Sequence, residues 1–328
     1  MKAFLVYAPG YDLSLPGFDQ LHPFDGRKFS RAWKLVEQRI GTALQQCWEL
    51  PSAPAGDAEL LRVHDAAYLA SLVSSTAVVA QALEIRALRL LPRGLVERRL
   101  LQPMKLAVAG TIRATRLAVQ GAGAIAMNVG GGFHHAFRDH GEGFCLYADV
   151  AAAVAAVRAT GELSKGDTIA IVDLDAHRGN GVWELLGKDP AVHVLDVYNF
   201  QTYPGLFDGD VADFPFIIPV KAGTADGAYL DLVRGELPRF LDGMPTPRLA
   251  IYNAGTDILA GDPVGKLAVS AEGVMERDRF VLQTMAQRGI PTMIVTSGGY
   301  TRRSHQLIAE LAVAVAKLAG NNGATRER

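Results

Sequence analysis

The feature that most constrains the fold of this chain is an alternation of short apolar runs with longer helix-patterned segments. Strands that are apolar throughout and separated by helices favour a parallel sheet covered on both faces. The sequence therefore predicts an α/β fold. Residues 58–73 are helical in composition. The runs predicted as strands include 124–129, 168–175, 192–198, 248–255 and 291–296.

Four predicted strands end in polar or glycine-rich sequences instead of ordinary turns. In open α/β sheets, ligands bind beyond the carboxyl ends of the strands, so these four segments are expected to converge on one edge. No linker or internal repeat divides them, which predicts a single domain over 1–320 followed by a polar tail at 321–328. The four endings are NVGGGFHHA (128–136), VDLDAHRGNG (172–181), YNAGTDIL (252–259) and VTSGGY (295–300).

Composition limits the classes of protein to which the chain can belong. The 328 residues are 49% hydrophobic, enough for a large core, and the net charge of -1 without a basic run gives no support for a nucleic-acid partner. Cys47 and Cys145 cannot form a disulfide framework, which fits a reducing compartment. No uncharged apolar stretch reaches the ~18–20 residues of a membrane span, and the first residues resemble a strand more than a signal peptide. The expectation is a cytoplasmic protein.

Asp175, His177 and Asp257 are the candidate metal ligands. If the predicted strand continued, Asp173, Asp175 and His177 would share one side of it. Burying such groups without partners is costly, so they require either a metal ion or a buried salt-bridge cluster. Spacing alone leaves both possibilities open. Asp257, which follows a neighbouring strand, favours the metal, because three protein ligands with an open position are what a catalytic zinc requires.

Two adjacent histidines follow three glycines, which permit the bends that could turn both rings inward. Histidine titrates near neutral pH, so His134 or His135 could take a proton from water and return it to a leaving amine. Asp173 could orient one ring, and the neutral amide of Asn180 could orient the other. A structural histidine pair on a loop is the alternative.

Two aromatic residues are weaker candidates. Tyr300 follows a turn of small residues and could donate a hydrogen bond to a developing oxyanion, although tyrosine is also ordinary turn material. Phe144, next to Gly143, could form a wall for the substrate or could belong to the core.

The motifs in this order resemble the zinc-dependent histone deacetylase superfamily, and within it they are most similar to the class IV deacetylases. The resemblance runs from about residue 5 to residue 318 and is weakest over 77–101. It implies the arginase–deacetylase fold, a three-layer domain whose mostly parallel sheet has about eight strands. Besides the four strand endings, the supporting stretches are LHPFD (21–25), GEGFCLYADV (141–150) and LDVYN (195–199).

The resemblance implies a role for each matching position. Asp175, His177 and Asp257 match the ligands of one zinc ion per chain. His135 matches the general base, and Tyr300 matches the tyrosine that polarises the substrate carbonyl. The full set of implied catalytic residues is His134, His135, Tyr300, Asp173 and Asn180. The implied substrate-binding residues are Gly143, Phe144 and Tyr203. A structural potassium ion is implied at the backbone around Asp173, Asp175, His177, Asp196 and Val197.

Two positions depart from the class I pattern. Asn180 stands where that pattern has an aspartate, which should make His135 less basic. Arg178 stands where the pattern has a second histidine, and its side chain is expected to point away from the metal ligands.

The implied activity is zinc-dependent hydrolysis that removes an acetyl or longer fatty acyl group from N-acyl-lysine. Alternative substrates are acetylpolyamines or another small N-acyl amine, and a catalytically silent acyl-lysine binder is a third possibility. A two-metal ureohydrolase would need further acidic ligands, but those positions hold Gly179 and Leu259.

Overall fold

The computed structural model describes residues 2–15, 23–207 and 214–320, so the predicted tail at 321–328 lies outside the described residues. The described residues form one eight-stranded sheet in which every neighbouring pair is parallel. Its spatial order is β2-β1-β3-β8-β7-β4-β5-β6. The strands are β1 (Ala3–Val6), β2 (Trp48–Glu49), β3 (Ile125–Asn128), β4 (Ile169–Asp173), β5 (Val192–Asn199), β6 (Ile217–Val220), β7 (Leu249–Asn253) and β8 (Thr292–Val295).

Helices cover both faces of this sheet, as the apolar strands predict. Successive residues of one strand enter opposite cores: Val172 packs with one helical layer and Ile171 with the other. The helices are α1 (Lys28–Ile40), α2 (Asp57–Leu60), α3 (Ala66–Ser74), α4 (Thr76–Ala82), α5 (Arg93–Val96), α6 (Gln102–Gln120), α7 (Asp149–Ala159), α8 (Asn180–Leu186), α9 (Asp226–Asp242), α10 (Ala271–Gln287) and α11 (Ser304–Gly320). Shorter helical turns are Pro9–Tyr11, Gly41–Gln46, Arg86–Leu90 and Glu97–Leu101. The α/β fold with a parallel sheet between helices is confirmed.

The central strands bring the polar strand ends together. β4 lies between β7 and β5, and Asp173 at its end is in register with Asn253 and Asp196. Because all strands run in the same direction, the segments that follow β3, β4, β7 and β8 emerge at one edge of the sheet.

Two predicted elements differ from the structure. The segment 58–73, which is helical in composition, forms two helices, because the chain leaves helical geometry between Leu60 and Ala66 and the amide of Asp65 is donated to the distant carbonyl of Arg138. The strand predicted over 168–175 ends at Asp173. Among the described residues, the structure contains no helix with both the length and the apolar character needed to cross a membrane.

Candidate active site

The segment after β4 is bent by its own carboxylates. The amide of Asp175 donates to Asp173 Oδ1 at 3.2 Å, and the amide of His177 donates to Asp175 Oδ1 at 2.9 Å. Such local side-chain acceptors compete with the ladder for backbone N–H groups and end the strand. The expectation that Asp173, Asp175 and His177 share one side of a strand is therefore wrong. The three side chains are gathered by turns instead of by strand alternation.

Each candidate carboxylate uses one oxygen to bind protein donors. Asp175 Oδ2 accepts from Ser297 Oγ at 2.6 Å and from the amide of Gly298 at 2.8 Å. Asp257 Oδ1 accepts from the amide of Ala176 at 2.9 Å. The segments that follow β4, β7 and β8 are joined in this way. Asp257 keeps Oδ2 for a further partner, and Asp175 keeps Oδ1, which also accepts from the amide of His177.

Those remaining oxygens converge on His177. Its Nδ1 lies 3.1 Å from Asp175 Oδ1 and 2.9 Å from Asp257 Oδ2. The three candidate ligand atoms all lie within 4.8 Å of one another, and the residues are 0%, 3% and 0% exposed for Asp175, His177 and Asp257. Two carboxylates and one imidazole are a donor set that zinc accepts. The residues present therefore fit a divalent metal ion.

The electrostatics of this cluster also fit a cation. Burial and the charge of Asp175 raise the pKa of Asp257 to about 7. Although burial acts against ionisation of Asp175, the charges of His134 and His177 hold its pKa well below the usual value. Two adjacent carboxylates cannot both ionise cheaply in a dry site, and a metal ion would relieve that repulsion.

The first of the tandem histidines lies against a carboxylate. His134 Nδ1 lies 2.9 Å from Asp173 Oδ2, while Asn253 donates to Asp173 Oδ1 at 2.9 Å. Burial alone would lower the pKa of His134, but Asp173 and Asp175 raise it to about 9. The two carboxylates therefore favour the protonated form of His134.

The second histidine has a neutral partner. His135 Nδ1 lies 2.6 Å from Asn180 Oδ1, and the two histidine rings are 4.0 Å apart. Burial lowers the pKa of His135 well below its usual value, and the charges of His134 and His177 lower it further. His135 is therefore a neutral imidazole across the neutral pH range.

Tyr300 faces both the cluster and the cavity. Its ring lies 6.3 Å from the ring of His177 and 5.9 Å from that of Phe144, and its amide donates to Asp262 Oδ2 at 2.8 Å. In the described part of the chain its hydroxyl has no hydrogen-bond partner, so it is free to bind a ligand. Burial, followed by the charges of Asp257 and Asp175, raises the pKa of Tyr300 well above 10, which keeps the phenol protonated.

A narrow, largely apolar cavity adjoins these groups. Gly143 has φ +51°, and a Cβ there would lie 2.4 Å from His135 Cδ2, so glycine allows the wall to approach the histidine. Tyr203 lies at the rim, 39% exposed, with its ring 5.0 Å from that of His135. The lining includes Leu13, Phe24, Leu83, Met104, Phe133, His134, His135, Gly143, Phe144 and Tyr300.

A second polar position lies behind the cluster. Asp196 Oδ2 accepts from the amide of Gly179 at 2.9 Å, whereas the buried Oδ1 has no hydrogen-bond partner among the described residues. Burial and the charge of Asp173 raise the pKa of Asp196 well above its usual value. The guanidinium of Arg178 packs over the Phe207 ring at 5.2 Å.

Several residues of the site had no signal in the sequence. Lys28, fully buried on α1, donates to the carbonyl of Ser297 at 2.6 Å, and burial lowers its pKa to about 8. Arg277 Nη1 donates to the carbonyls of Leu174 and Gly255 at 3.0 and 2.7 Å. Asn253 lies at a strand end within a quoted motif, so its position could have identified it as a candidate.

Comparison with known proteins identifies the family. The model of the "Histone deacetylase domain" matches residues 22–316. The chain belongs to the histone deacetylase family. "Histone deacetylase 2" of Arabidopsis thaliana is 38% identical over 311 residues, which cover 94% of this chain and 77% of that protein. Family membership indicates that the chain is a hydrolytic deacetylase.

Solved structures agree at the level of the fold. The crystal structure of the HDA15 HD domain has a TM-score of 0.75 at 19% identity, covering 97% of this chain and 88% of that one. The histone deacetylase homologue from Aquifex aeolicus has a TM-score of 0.72 at 22% identity, covering 98% and 84%. These similarities support the arginase–deacetylase fold that the resemblance implies.

Proposed function

We propose that this deacetylase uses one zinc ion to hydrolyse the amide of an N-acyl-lysine side chain. The observation that carries the proposal is the convergence of one possible ligand atom each from Asp175, His177 and Asp257, beside His135 and Tyr300. The imidazole of His135 and the phenol of Tyr300 line one apolar cavity, and the ring of His177 lies next to both of them. We also propose a single catalytic domain over 1–320 and a cytoplasmic location.

Asp175, His177 and Asp257 would hold the metal. When bound, zinc supplies a Lewis acid that polarises a carbonyl oxygen and makes water a better nucleophile. The hydroxyl of Tyr300 donates a hydrogen bond to the carbonyl oxygen, where negative charge develops as water attacks. Because the pKa of Tyr300 is raised, the hydroxyl keeps the proton that this bond requires.

His135 moves the proton. Its Nδ1 is engaged by Asn180, so Nε2 is the atom that can accept a proton from the attacking water. Cleavage of the carbon–nitrogen bond then returns that proton to the departing lysine amine, and the products are a carboxylic acid and a free amine. His134 stays protonated beside Asp173 and adds a fixed positive charge next to the carboxylate cluster.

The apolar cavity supports acyl groups as the part of the substrate that enters. Gly143 and Phe144 would form its wall and Tyr203 its rim. Asp196, with an unpaired buried oxygen, supports the structural potassium ion near Asp173, Asp175, His177 and Val197. The departures from the class I pattern at Arg178 and Asn180 support a class IV assignment.

The test is hydrolysis by the zinc-loaded protein of lysine peptides that carry acyl groups from acetyl to myristoyl, with acetylpolyamines in parallel. We expect that at least one peptide is deacylated, which releases the carboxylic acid and leaves a free amine on the lysine side chain. An Asp257→Asn variant is the matched control, because it keeps the shape of the ligand but removes its charge. Hydrolysis of acetylpolyamines alone would move the substrate class to small amines. Binding of acyl peptides without hydrolysis would indicate a silent binder.

A further inference from the structure

A hydrogen-bonded row of side chains connects His135 to the rim of the cavity. Asn180 Oδ1 lies 2.6 Å from His135 Nδ1, and Asn180 Nδ2 lies 3.0 Å from the hydroxyl of Tyr203. The Tyr203 hydroxyl in turn donates to Glu142 Oε2. Glu142 is 42% exposed, and its other oxygen lies 3.3 Å from Nε2 of His140. Neither Glu142 nor the Tyr203 hydroxyl takes part in the proposed proton transfer.

The chemistry of Glu142 fixes the direction of every bond in this row. A carboxylate has acceptors only, so Tyr203 must use its single proton to donate to Glu142. The Tyr203 oxygen is then left to accept, which requires that the NH₂ of Asn180 faces it. The carbonyl oxygen of Asn180 therefore faces His135. Because that oxygen can only accept, His135 carries its proton on Nδ1 and keeps the lone pair of Nε2 toward the cavity.

Without this row, only one shared backbone contact would hold the orientation of the Asn180 side-chain amide. A half-turn of the Asn180 amide would place its NH₂ against Nδ1 and move the ring proton to Nε2, where His135 could no longer accept a proton. The amide of Gly181 also approaches Asn180 Oδ1 at 3.1 Å, but it is shared with the His134 carbonyl at 2.9 Å. The row to the rim therefore adds a second restraint to this shared contact.

We propose that Tyr203 and Glu142 are positioning residues that fix the amide of Asn180 and thereby the tautomer of His135. The inference rests on the proposed function, in which His135 is the general base. It differs from the substrate-binding role predicted for Tyr203, because the Tyr203 hydroxyl acts through Asn180 instead of on the acyl group.

Steady-state kinetics of Glu142→Gln test the proposal. Glutamine has nearly the same shape but can also donate, so the direction of the whole row can reverse. General-base catalysis is worth about 10²–10⁴-fold, so molecules with the reversed amide contribute little turnover. If the reversed row is favoured so that about one molecule in ten keeps the productive orientation, kcat falls about tenfold with KM little changed. Tyr203→Phe should behave in the same way. A raised KM with unchanged kcat in both variants would overturn the proposal in favour of substrate contact.

A second background isolates the coupling. Asn180→Asp supplies an acceptor at His135 that needs no orientation, since both carboxylate oxygens are equivalent. In that background, the loss caused by Glu142→Gln should shrink from about tenfold to less than about twofold. An equal loss in both backgrounds would contradict a role through Asn180.

The ¹⁵N shifts of His135 in the metal-free protein give a readout that does not depend on catalysis. We expect the Nδ1–H tautomer in the natural chain and a mixture of tautomers in Glu142→Gln and in Tyr203→Phe. An unchanged Nδ1–H tautomer in both variants would overturn the proposal. Failure of the protein to hydrolyse any acyl substrate would instead overturn the proposed function, and the two failures are thereby distinguishable.

Discussion

His134 and His135 are neighbours in sequence, but they belong to two contrasting sides of the site. On the charged side, His134 lies with Asp173 and with the metal candidates Asp175, His177 and Asp257. On the neutral side, His135 lies with Asn180 and Tyr203, and it shares the cavity lining with Tyr300. The polar side-chain atoms of these three residues are amides and hydroxyls. The pKa of His134 is raised to about 9, whereas burial lowers that of His135 well below its usual value.

In the proposed mechanism, this contrast lets one residue type serve two purposes. Fixed negative charge is useful where a cation must be held. The carboxylates that supply it follow the ends of β4 and β7. Proton transfer needs a group that is neutral before the reaction, and the neutral side provides one without a nearby carboxylate partner. The difference arises from the partner residues, because the two backbones are adjacent.

The largest expected effect comes from removing each histidine in turn. His135→Ala should lower kcat by about 10²–10⁴-fold, because a general base contributes that much. His134→Ala should cost clearly less, because His134 is already protonated and takes no proton from water. Steady-state kinetics of both variants at saturating zinc measure the difference. A larger loss for His134→Ala would reverse the assignment of the two sides.

The second prediction tests the neutral side at its hydroxyl. Tyr300→Phe should lower kcat by about 10²–10³-fold, the usual cost of removing one oxyanion donor. Zinc content should stay at the natural level, since Tyr300 is not one of the candidate ligands. Metal analysis of the same preparation serves as the control. Full activity in this variant would contradict the oxyanion role.

The third prediction tests the charged side alone. Arg277 joins the carbonyls of Leu174 and Gly255, which belong to the two segments that carry the metal ligands. Lysine cannot make all of these hydrogen bonds, so Arg277→Lys should weaken the link between the two segments. Zinc affinity should fall by about 10–100-fold, as for other supporting residues of metal sites. Tyr252→Phe is the matched control, because it removes the hydroxyl bond to Asp278 but leaves both carbonyl contacts. An equal loss of zinc affinity in both variants would indicate a general loss of rigidity instead of a specific effect of the Arg277 contacts.

The smallest effect is a shift in pH dependence. Asn180→Asp places a carboxylate next to His135, which favours the protonated ring and raises its pKa. Because the base must be neutral, the acidic limb of the kcat/KM profile should move to higher pH, by about one unit. Zinc-loaded protein assayed from acidic to neutral pH gives the measurement. A limb that stays in place, or moves to lower pH, would contradict the role of His135 as base.

The sequence identifies much of the fold and of the candidate site. Apolar runs flanked by helices predict the parallel sheet, and polar strand endings predict which edge carries the site. Asp175, His177 and Asp257 could be singled out because each follows a strand. Their gathering by turns could not be predicted from alternation, because the carboxylate of Asp173 captures the amide that would have continued the strand.

Contacts between distant segments explain what the sequence could not reveal. Arg277 lies 103 residues from Leu174, and Lys28 lies 269 residues from Ser297. In the sequence of its helix, each residue looks like an ordinary surface charge, and it is buried only in the folded protein. Glu142 likewise acquires its partner Tyr203 only when two loops meet at the rim.

The most direct test of a one-zinc deacylase is a metal titration of the metal-free protein. Zinc is added in increments while hydrolysis of the best acyl-lysine peptide is followed. The account predicts that activity is absent without metal and rises to a sharp break at one zinc ion per chain. A break at two ions per chain, or full activity without metal, would contradict it.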